Sequence, residues 1–182
     1  YNTAIKLQPN FAEVYNNKGI ALKNLKKIEQ AIENFYIAIG LKSDYAEAYN
    51  NLGNAFENSV STELAFRNYK RALLLKTDYA ETYYNLGLLE EKRGYYNNAL
   101  LWLKKAVKLE PNYPEAFYGL GNNFHKGRKH LRAIKYYKAA AVLQPQNFEV
   151  WSAMGNCLTE LKRYEYALKN YSKTRFFGVF DK

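Results

Sequence analysis

Histidine and cysteine, common metal ligands and catalytic residues, are rare in this chain: the 182-residue sequence contains two histidines and one cysteine. His125 and His130 are five positions apart, and Cys157 follows in a later segment. This spacing matches no familiar metal-ligand motif. The histidines are therefore interpreted as polar residues beside a turn, and Cys157 as a small packing residue. The glycines form no phosphate-binding loop. The sequence predicts no catalytic residue, no metal site and no cofactor, so the chain is not expected to be an enzyme.

The dominant pattern is a repeat of 34 residues without insertions. The stretch from Ala46 to Asn54 has equivalents that begin at Ala12, Ala80, Pro114 and Phe148. A fixed period of this length indicates a solenoid. It divides the chain into five repeats, 12–45, 46–79, 80–113, 114–147 and 148–182. Segment 1–11 has the pattern of the second helix of a truncated repeat, and the whole of 1–182 is predicted to be a single array.

Each repeat is predicted to contain two helices. Counting from its first residue, positions 4, 7, 8 and 11 share one helical face, and positions 20, 24 and 27 share another. Position 8 is glycine and position 20 is alanine in all five repeats. These small residues allow two helices to pack at close range. Prolines such as Pro111 and Pro145 end the second helix. The glycines at position 8 are Gly19, Gly53, Gly87, Gly121 and Gly155.

The pattern of an aromatic residue at position 4, glycine at position 8, a later alanine and aromatic, and a closing proline resembles the tetratricopeptide-repeat (TPR) family. The resemblance covers almost the whole chain. It implies an all-α fold, a right-handed superhelix (α–α solenoid) in which the first helices line a concave groove. It also implies a protein or peptide partner in that groove.

Asparagines recur on the first helices. Asparagine is a poor helix former, so its recurrence there requires an explanation. Its amide both donates and accepts hydrogen bonds, and a row of such amides could therefore bind the backbone of an extended peptide. Similar rows line the groove of the TPR domain of O-GlcNAc transferase, which implies a groove position here. The alternative is that an asparagine-rich composition drifts to exposed sites. The candidates are Asn17, Asn51 and Asn85 at position 6 and Asn54, Asn122 and Asn156 at position 9, with Asn50, Tyr84 and Tyr118 at position 5 adding selectivity.

Charge is unevenly distributed. The net charge is +10, and residues 114–182 contribute 12 basic against 5 acidic side chains. A basic patch surrounds the turn of the fourth repeat. A solvated outer face is the favoured interpretation of this patch, and contact with an acidic protein or nucleic acid is the alternative. The patch comprises Lys126, Arg128, Lys129 and Arg132. Position 2 is always glutamate, which favourably offsets the helix dipole.

The favoured hypothesis is a non-catalytic scaffold for protein–protein interaction that binds an extended peptide segment in the groove. One alternative is a structural assembly subunit that self-associates through uncapped ends, as the apolar stretch 176–180 indicates. Another is the substrate-recruiting arm of a larger enzyme such as a glycosyltransferase. No apolar run reaches the length of a membrane span, so membrane insertion is not expected. The lone cysteine excludes an internal disulfide and fits a cytoplasmic location.

Overall fold

The structure is a computed structural model that describes residues 11–58 and 61–177. These residues form ten helices and no strand. In chain order they are α1 Ala12–Asn24, α2 Ile28–Leu41, α3 Ala46–Asn58, α4 Thr62–Leu75, α5 Ala80–Lys92, α6 Tyr96–Leu109, α7 Pro114–Lys126, α8 His130–Leu143, α9 Phe148–Glu160 and α10 Tyr164–Phe177. The expected helix at 1–11 and the apolar stretch 176–180 fall almost entirely outside the described part. None of the described helices is long and apolar enough to cross a membrane.

The chain divides into two compact units, Tyr1–Leu89 and Glu90–Lys182. In the first unit, α1 packs on α2, α2 on α3, and α3 on α4. In the second unit, α6 packs on α7, α7 on α8, α8 on α9, and α9 on α10. Every first helix begins at position 1 of its repeat. The predicted all-α helical repeat fold is confirmed.

The glycine at position 8 lies against the ring at position 24. A Cβ atom built on Gly19 would be 2.6 Å from Cε1 of Phe35, and one built on Gly53 would be 2.6 Å from Cε1 of Tyr69. Real Cβ atoms do not approach other atoms so closely, and the rings cannot withdraw because Phe35 and Tyr69 are fully buried. Gly121 and Gly155 are in the same way covered by the rings of Tyr137 and Tyr171. In these four repeats the glycine therefore makes room for the aromatic ring at position 24, whereas the third repeat has Leu103 there.

The turn between the two helices of a repeat requires a left-handed residue at position 15. Gly94 occupies this position in the third repeat with φ 83°, and Lys26 occupies it in the first with φ 60°. The next N–H closes the turn by donating to the carbonyl five residues earlier, as from Lys27 to Leu22 at 2.9 Å. This pattern is the Schellman motif that ends many helices, and it usually has glycine at the left-handed residue.

We predict opposite effects for two Gly→Ala substitutions. In Gly53→Ala, the new methyl group collides with the Tyr69 ring, and overpacking costs about 1–3 kcal/mol. Gly40 lies in α2 with no atom within 4 Å of its added Cβ, so Gly40→Ala should stabilise by about 0.5–1 kcal/mol through helix propensity. Urea denaturation measures both free energies of unfolding. Equal stabilisation by the two substitutions would show that the ring does not depend on the glycine.

We also predict that Lys26→Gly stabilises the protein. The left-handed conformation costs a non-glycine residue roughly 1–2 kcal/mol, whereas glycine's extra chain entropy costs about 0.5–1 kcal/mol. The control is Lys27→Gly, because Lys27 has φ −90° and gains no strain relief. Thermal unfolding should give a higher midpoint for Lys26→Gly and a lower one for Lys27→Gly. A lower midpoint for both would contradict this account of the turn.

Candidate peptide-binding site

Asparagines at positions 5 and 6 pair between consecutive repeats of the first unit. Nδ2 of Asn51 donates to Oδ1 of Asn16 at 2.9 Å, and Nδ2 of Asn85 donates to Oδ1 of Asn50 at 3.0 Å. Asn16 and Asn50 are buried, whereas Asn51 and Asn85 are partly exposed. The first helices of neighbouring repeats are thus joined by an amide–amide hydrogen bond at each step.

Position 5 supplies the inner member of each pair, and in Asn50 both the oxygen and the nitrogen of the amide are bonded within the chain. Asn50 also accepts from Thr82 Oγ1 at 3.0 Å and donates to Glu81 Oε1 at 3.0 Å. Its exposed fraction is 0%. The prediction that Asn50 contacts a peptide is therefore corrected, because a side chain without accessible surface cannot touch a ligand. Asn50 instead holds the second and third repeats together.

The asparagines at position 9 bind the tyrosines at position 24. The hydroxyl of Tyr69 donates to Oδ1 of Asn54 at 2.6 Å, that of Tyr137 to Asn122 at 2.8 Å, and that of Tyr171 to Asn156 at 2.8 Å. Burial raises the pKa values of Tyr69 and Tyr137 well above the usual range, so these hydroxyls remain protonated donors. A buried hydroxyl needs such a partner.

In both pairings, the residue types at the two paired positions change together from repeat to repeat. Position 9 is asparagine in the three repeats that have tyrosine at position 24, and it is Ile20 or Leu88 where position 24 is Phe35 or Leu103. Position 6 is asparagine where the preceding repeat has asparagine at position 5, and it is Gly119 or Ala153 where that residue is tyrosine. Much of the asparagine pattern is therefore explained by packing and hydrogen bonding within the fold.

The remaining predicted residues differ in accessibility. Asn17 and Asn156 are exposed, while Tyr84 and Tyr118 are partly buried. The ring of Tyr118 lies 5.6 Å from that of Tyr137. Burial raises the pKa of Tyr118, Glu149 adds to the increase, and a hydrogen bond from Asn122 opposes it. In the first unit position 6 supplies three accessible amides, Asn17, Asn51 and Asn85.

The glutamates at position 2 lie in the first turn of their helices, as expected from the dipole. Two of them also bind a lysine at the end of the second helix of the same repeat. Glu13 is 3.4 Å from Lys42 Nζ, and Glu47 is 3.2 Å from Lys76 Nζ. These exposed pairs contribute little to stability, but they neutralise negative charge beside the first helices.

The basic patch lies at an exposed turn. Arg128 and Lys129 are solvent-exposed. Lys126 is 2.7 Å from Glu91 Oε1, and this hydrogen bond raises the lysine pKa. Arg132 lies 5.9 Å from the centre of the Phe124 ring. Two of the four residues therefore already have partners within the fold.

The sequence interpretation treated the two histidines and the cysteine separately, and the structure shows that they are neighbours. His125, His130 and Cys157 come together in the second unit, with their ligating atoms within 4.8 Å of one another. Cys157 is fully buried and packs in the core cluster, as predicted, and the histidines are partly buried. Burial, with Glu160 adding to it, raises the Cys157 pKa to about 11. Burial followed by the charge of His130 lowers the His125 pKa.

Residues 90–127 match the family described as "TPR repeat", and residues 1–33 match the family described as "Tetratricopeptide repeat". No curated protein sequence matches the chain.

Several solved structures share the fold. PilF of Pseudomonas aeruginosa has a TM-score of 0.86 and 22% identity, over 91% of this chain and 76% of that one. MamA of Desulfovibrio magneticus RS-1 has a TM-score of 0.81 and 19% identity, over 94% of this chain and 97% of that one. YrrB, described as a TPR protein with an unusual peptide-binding site, has a TM-score of 0.72 and 23% identity, over 99% of this chain and 93% of that one. At these identities the likeness shows a common fold.

We predict strong energetic coupling between Asn122 and Tyr137. Asn122→Leu should cost about 1–3 kcal/mol, because the buried hydroxyl of Tyr137 loses the acceptor of its hydrogen bond. The double variant Asn122→Leu/Tyr137→Phe removes both partners and imitates the apolar pairs of the first and third repeats. It should therefore recover most of the loss. A double-mutant cycle from urea denaturation measures the coupling, and additive effects would contradict the pairing.

Proposed function

We propose that this chain, which is a tetratricopeptide-repeat protein, is a non-catalytic interaction scaffold that binds an extended peptide along α1, α3 and α5. The observation that carries the proposal is the arrangement of Asn51 and Asn85. Each is partly exposed, and each has one amide N–H held by an asparagine of the preceding repeat. The amide plane is therefore fixed before any ligand arrives, which lowers the entropy cost of binding.

The groups that remain on these amides suit a peptide backbone. With one N–H used, each side chain still offers the carbonyl oxygen Oδ1, which is bonded to no other described residue. An oxygen of this kind accepts a hydrogen bond from a backbone N–H, and the second N–H of the amide can donate to a backbone carbonyl. Asn17 is exposed and can act in the same way at the start of the row.

The repeat spacing is compatible with an extended ligand. Packed helices lie about 8–10 Å apart, and a strand advances roughly 3.3 Å per residue. Consecutive asparagines at position 6 would therefore meet about every third residue of a peptide. Because the contacts go to backbone groups, this arrangement favours an extended conformation more than a particular side-chain sequence.

Two further features support a peptide as the ligand. Glu13 and Glu47 are neutralised by Lys42 and Lys76, so the edge of the first helices does not carry a row of unpaired carboxylates that would repel an acidic segment. YrrB, which shares the fold over 99% of this chain, is described as having a peptide-binding site.

The test uses a peptide selected from a displayed library of unstructured peptides against the whole chain. Asn17→Ala/Asn51→Ala/Asn85→Ala should weaken its binding about tenfold or more, since each lost hydrogen bond is worth about 0.5–1.5 kcal/mol. N-methylation of single peptide amides should weaken binding at about every third residue. At one of these sites, Asn51→Ala should make N-methylation inconsequential. Isothermal titration calorimetry gives the affinities.

The matched control is Asn97→Ala, which removes an exposed asparagine of α6 and should leave affinity unchanged. Thermal unfolding of each variant identifies any loss of folded protein, because Asn51 also bonds to buried Asn16. An unchanged affinity in a folded triple variant, or the same N-methylation profile in wild type and Asn51→Ala, would refute the proposed site.

A further inference from the structure

The two histidines and the single cysteine of the chain come together at one place. The complete sequence has two histidines and one cysteine. His125 is in the last turn of α7, His130 is the first residue of α8, and Cys157 is in α9. Helices from the fourth and fifth repeats therefore converge on a cluster that packing alone does not require, since position 10 is alanine in the first two repeats.

The distances within the cluster suit coordination of one metal ion. Nδ1 of His125 lies 3.3 Å from Nδ1 of His130 and 3.2 Å from Sγ of Cys157. Two nitrogens on a tetrahedral Zn²⁺ ion, each about 2.05 Å from it, are about 3.3 Å apart. A nitrogen and a sulfur on the same ion are about 3.6 Å apart. All three ligating atoms lie within 4.8 Å of one another, so a small rotation of one side chain completes the set.

Hydrogen bonds within the cluster use the ring nitrogens less completely than a bound metal ion would. Nδ1 of an imidazole has either one lone pair or one proton, in the plane of the ring. Nδ1 of His125 therefore makes one linear hydrogen bond, to His130 or to Cys157, while both atoms lie close to it. A cation placed among the three atoms would use one lone pair from each of them simultaneously.

We propose that His125, His130 and Cys157 form a binding site for Zn²⁺ or a similar borderline-soft divalent metal ion. A thiolate with two imidazoles matches the ligand preference of this ion and disfavours hard cations such as Mg²⁺ and Ca²⁺. Because both histidines are partly exposed, the fourth position is open to water. Glu160, about one turn after Cys157, places negative charge near the thiol and His125.

The consequence is a crosslink between the fourth and fifth repeats. The fourth and fifth repeats otherwise meet through the packing of α8 on α9 and the core cluster around Cys157. A metal ion bound by residues of α7, α8 and α9 would tie the turn between the two helices of the fourth repeat to the first helix of the fifth. Metal binding would therefore stabilise the folded second unit, since the unfolded chain does not hold the three ligands together.

The test is titration of the untagged 182-residue chain with Co²⁺, in a buffer whose reductant does not chelate metals. We expect one Co²⁺ per chain, with a thiolate-to-metal charge-transfer band and visible bands of tetrahedral intensity, and displacement by Zn²⁺. Zn²⁺ alone should raise the midpoint of thermal unfolding by several degrees when it is present well above its dissociation constant.

The matched variants take residues from other repeats. Cys157→Ala introduces alanine, which occupies the equivalent position in the first two repeats as Ala21 and Ala55. His130→Thr introduces threonine, which occupies the equivalent position in the second repeat as Thr62. Both variants are therefore expected to fold. Cys157→Ala should abolish the charge-transfer band and the Zn²⁺-dependent shift, and His130→Thr should weaken Zn²⁺ binding at least tenfold. Absence of Co²⁺ and Zn²⁺ binding, binding of Cu⁺ alone, or an unchanged spectrum in Cys157→Ala would each overturn the proposal.

Discussion

In four of the five repeats, the close contact between glycine at position 8 and the ring at position 24 is the constraint on which the rest of the repeat depends. Since a methyl group would collide with the ring, the two helices of a repeat approach more closely than ordinary side chains allow. The ring is then buried, and a tyrosine there must find a hydrogen-bond partner for its hydroxyl. Asn54 and Asn122 provide that partner for Tyr69 and Tyr137. A packing requirement thus determines which polar residue occupies the neighbouring helix.

The same reasoning separates structural asparagines from those that could bind a ligand. An amide whose oxygen accepts from a buried tyrosine, or whose side chain is enclosed like that of Asn50, is explained by the fold. Asn51 and Asn85 are partly exposed and use one N–H within the chain, while their oxygens accept no hydrogen bond from the described residues. The evidence for function lies in the amide oxygens and N–H groups that make no hydrogen bond within the chain. These groups are fewer than the number of asparagines suggests.

The sequence was sufficient to predict the fold, because the 34-residue period, the glycines and the alanines report local packing that is repeated in every unit. The start of each first helix was predictable for the same reason. The partners of the asparagines were not, since a helical-wheel projection treats one helix at a time, and both pairings join different helices. Comparing residues between repeats would have identified them: asparagine at position 9 accompanies tyrosine at position 24 and is replaced by Ile20 or Leu88 where that tyrosine is absent.

The histidine–cysteine cluster was missed because metal-site motifs count residues along the chain, whereas a solenoid brings together positions one period apart. Position 10 of one repeat lies beside position 17 of the preceding one: Asn123 bonds to the carbonyl of Tyr96, and Cys157 lies near His130. Residues shared by all repeats specify the fold, so chemistry peculiar to one place is expected where a repeat departs from the others. The proposed peptide site uses asparagine at position 6, which three repeats share. The proposed metal site uses a histidine or cysteine that occurs at its position in one repeat alone. The two proposals therefore stand on independent evidence.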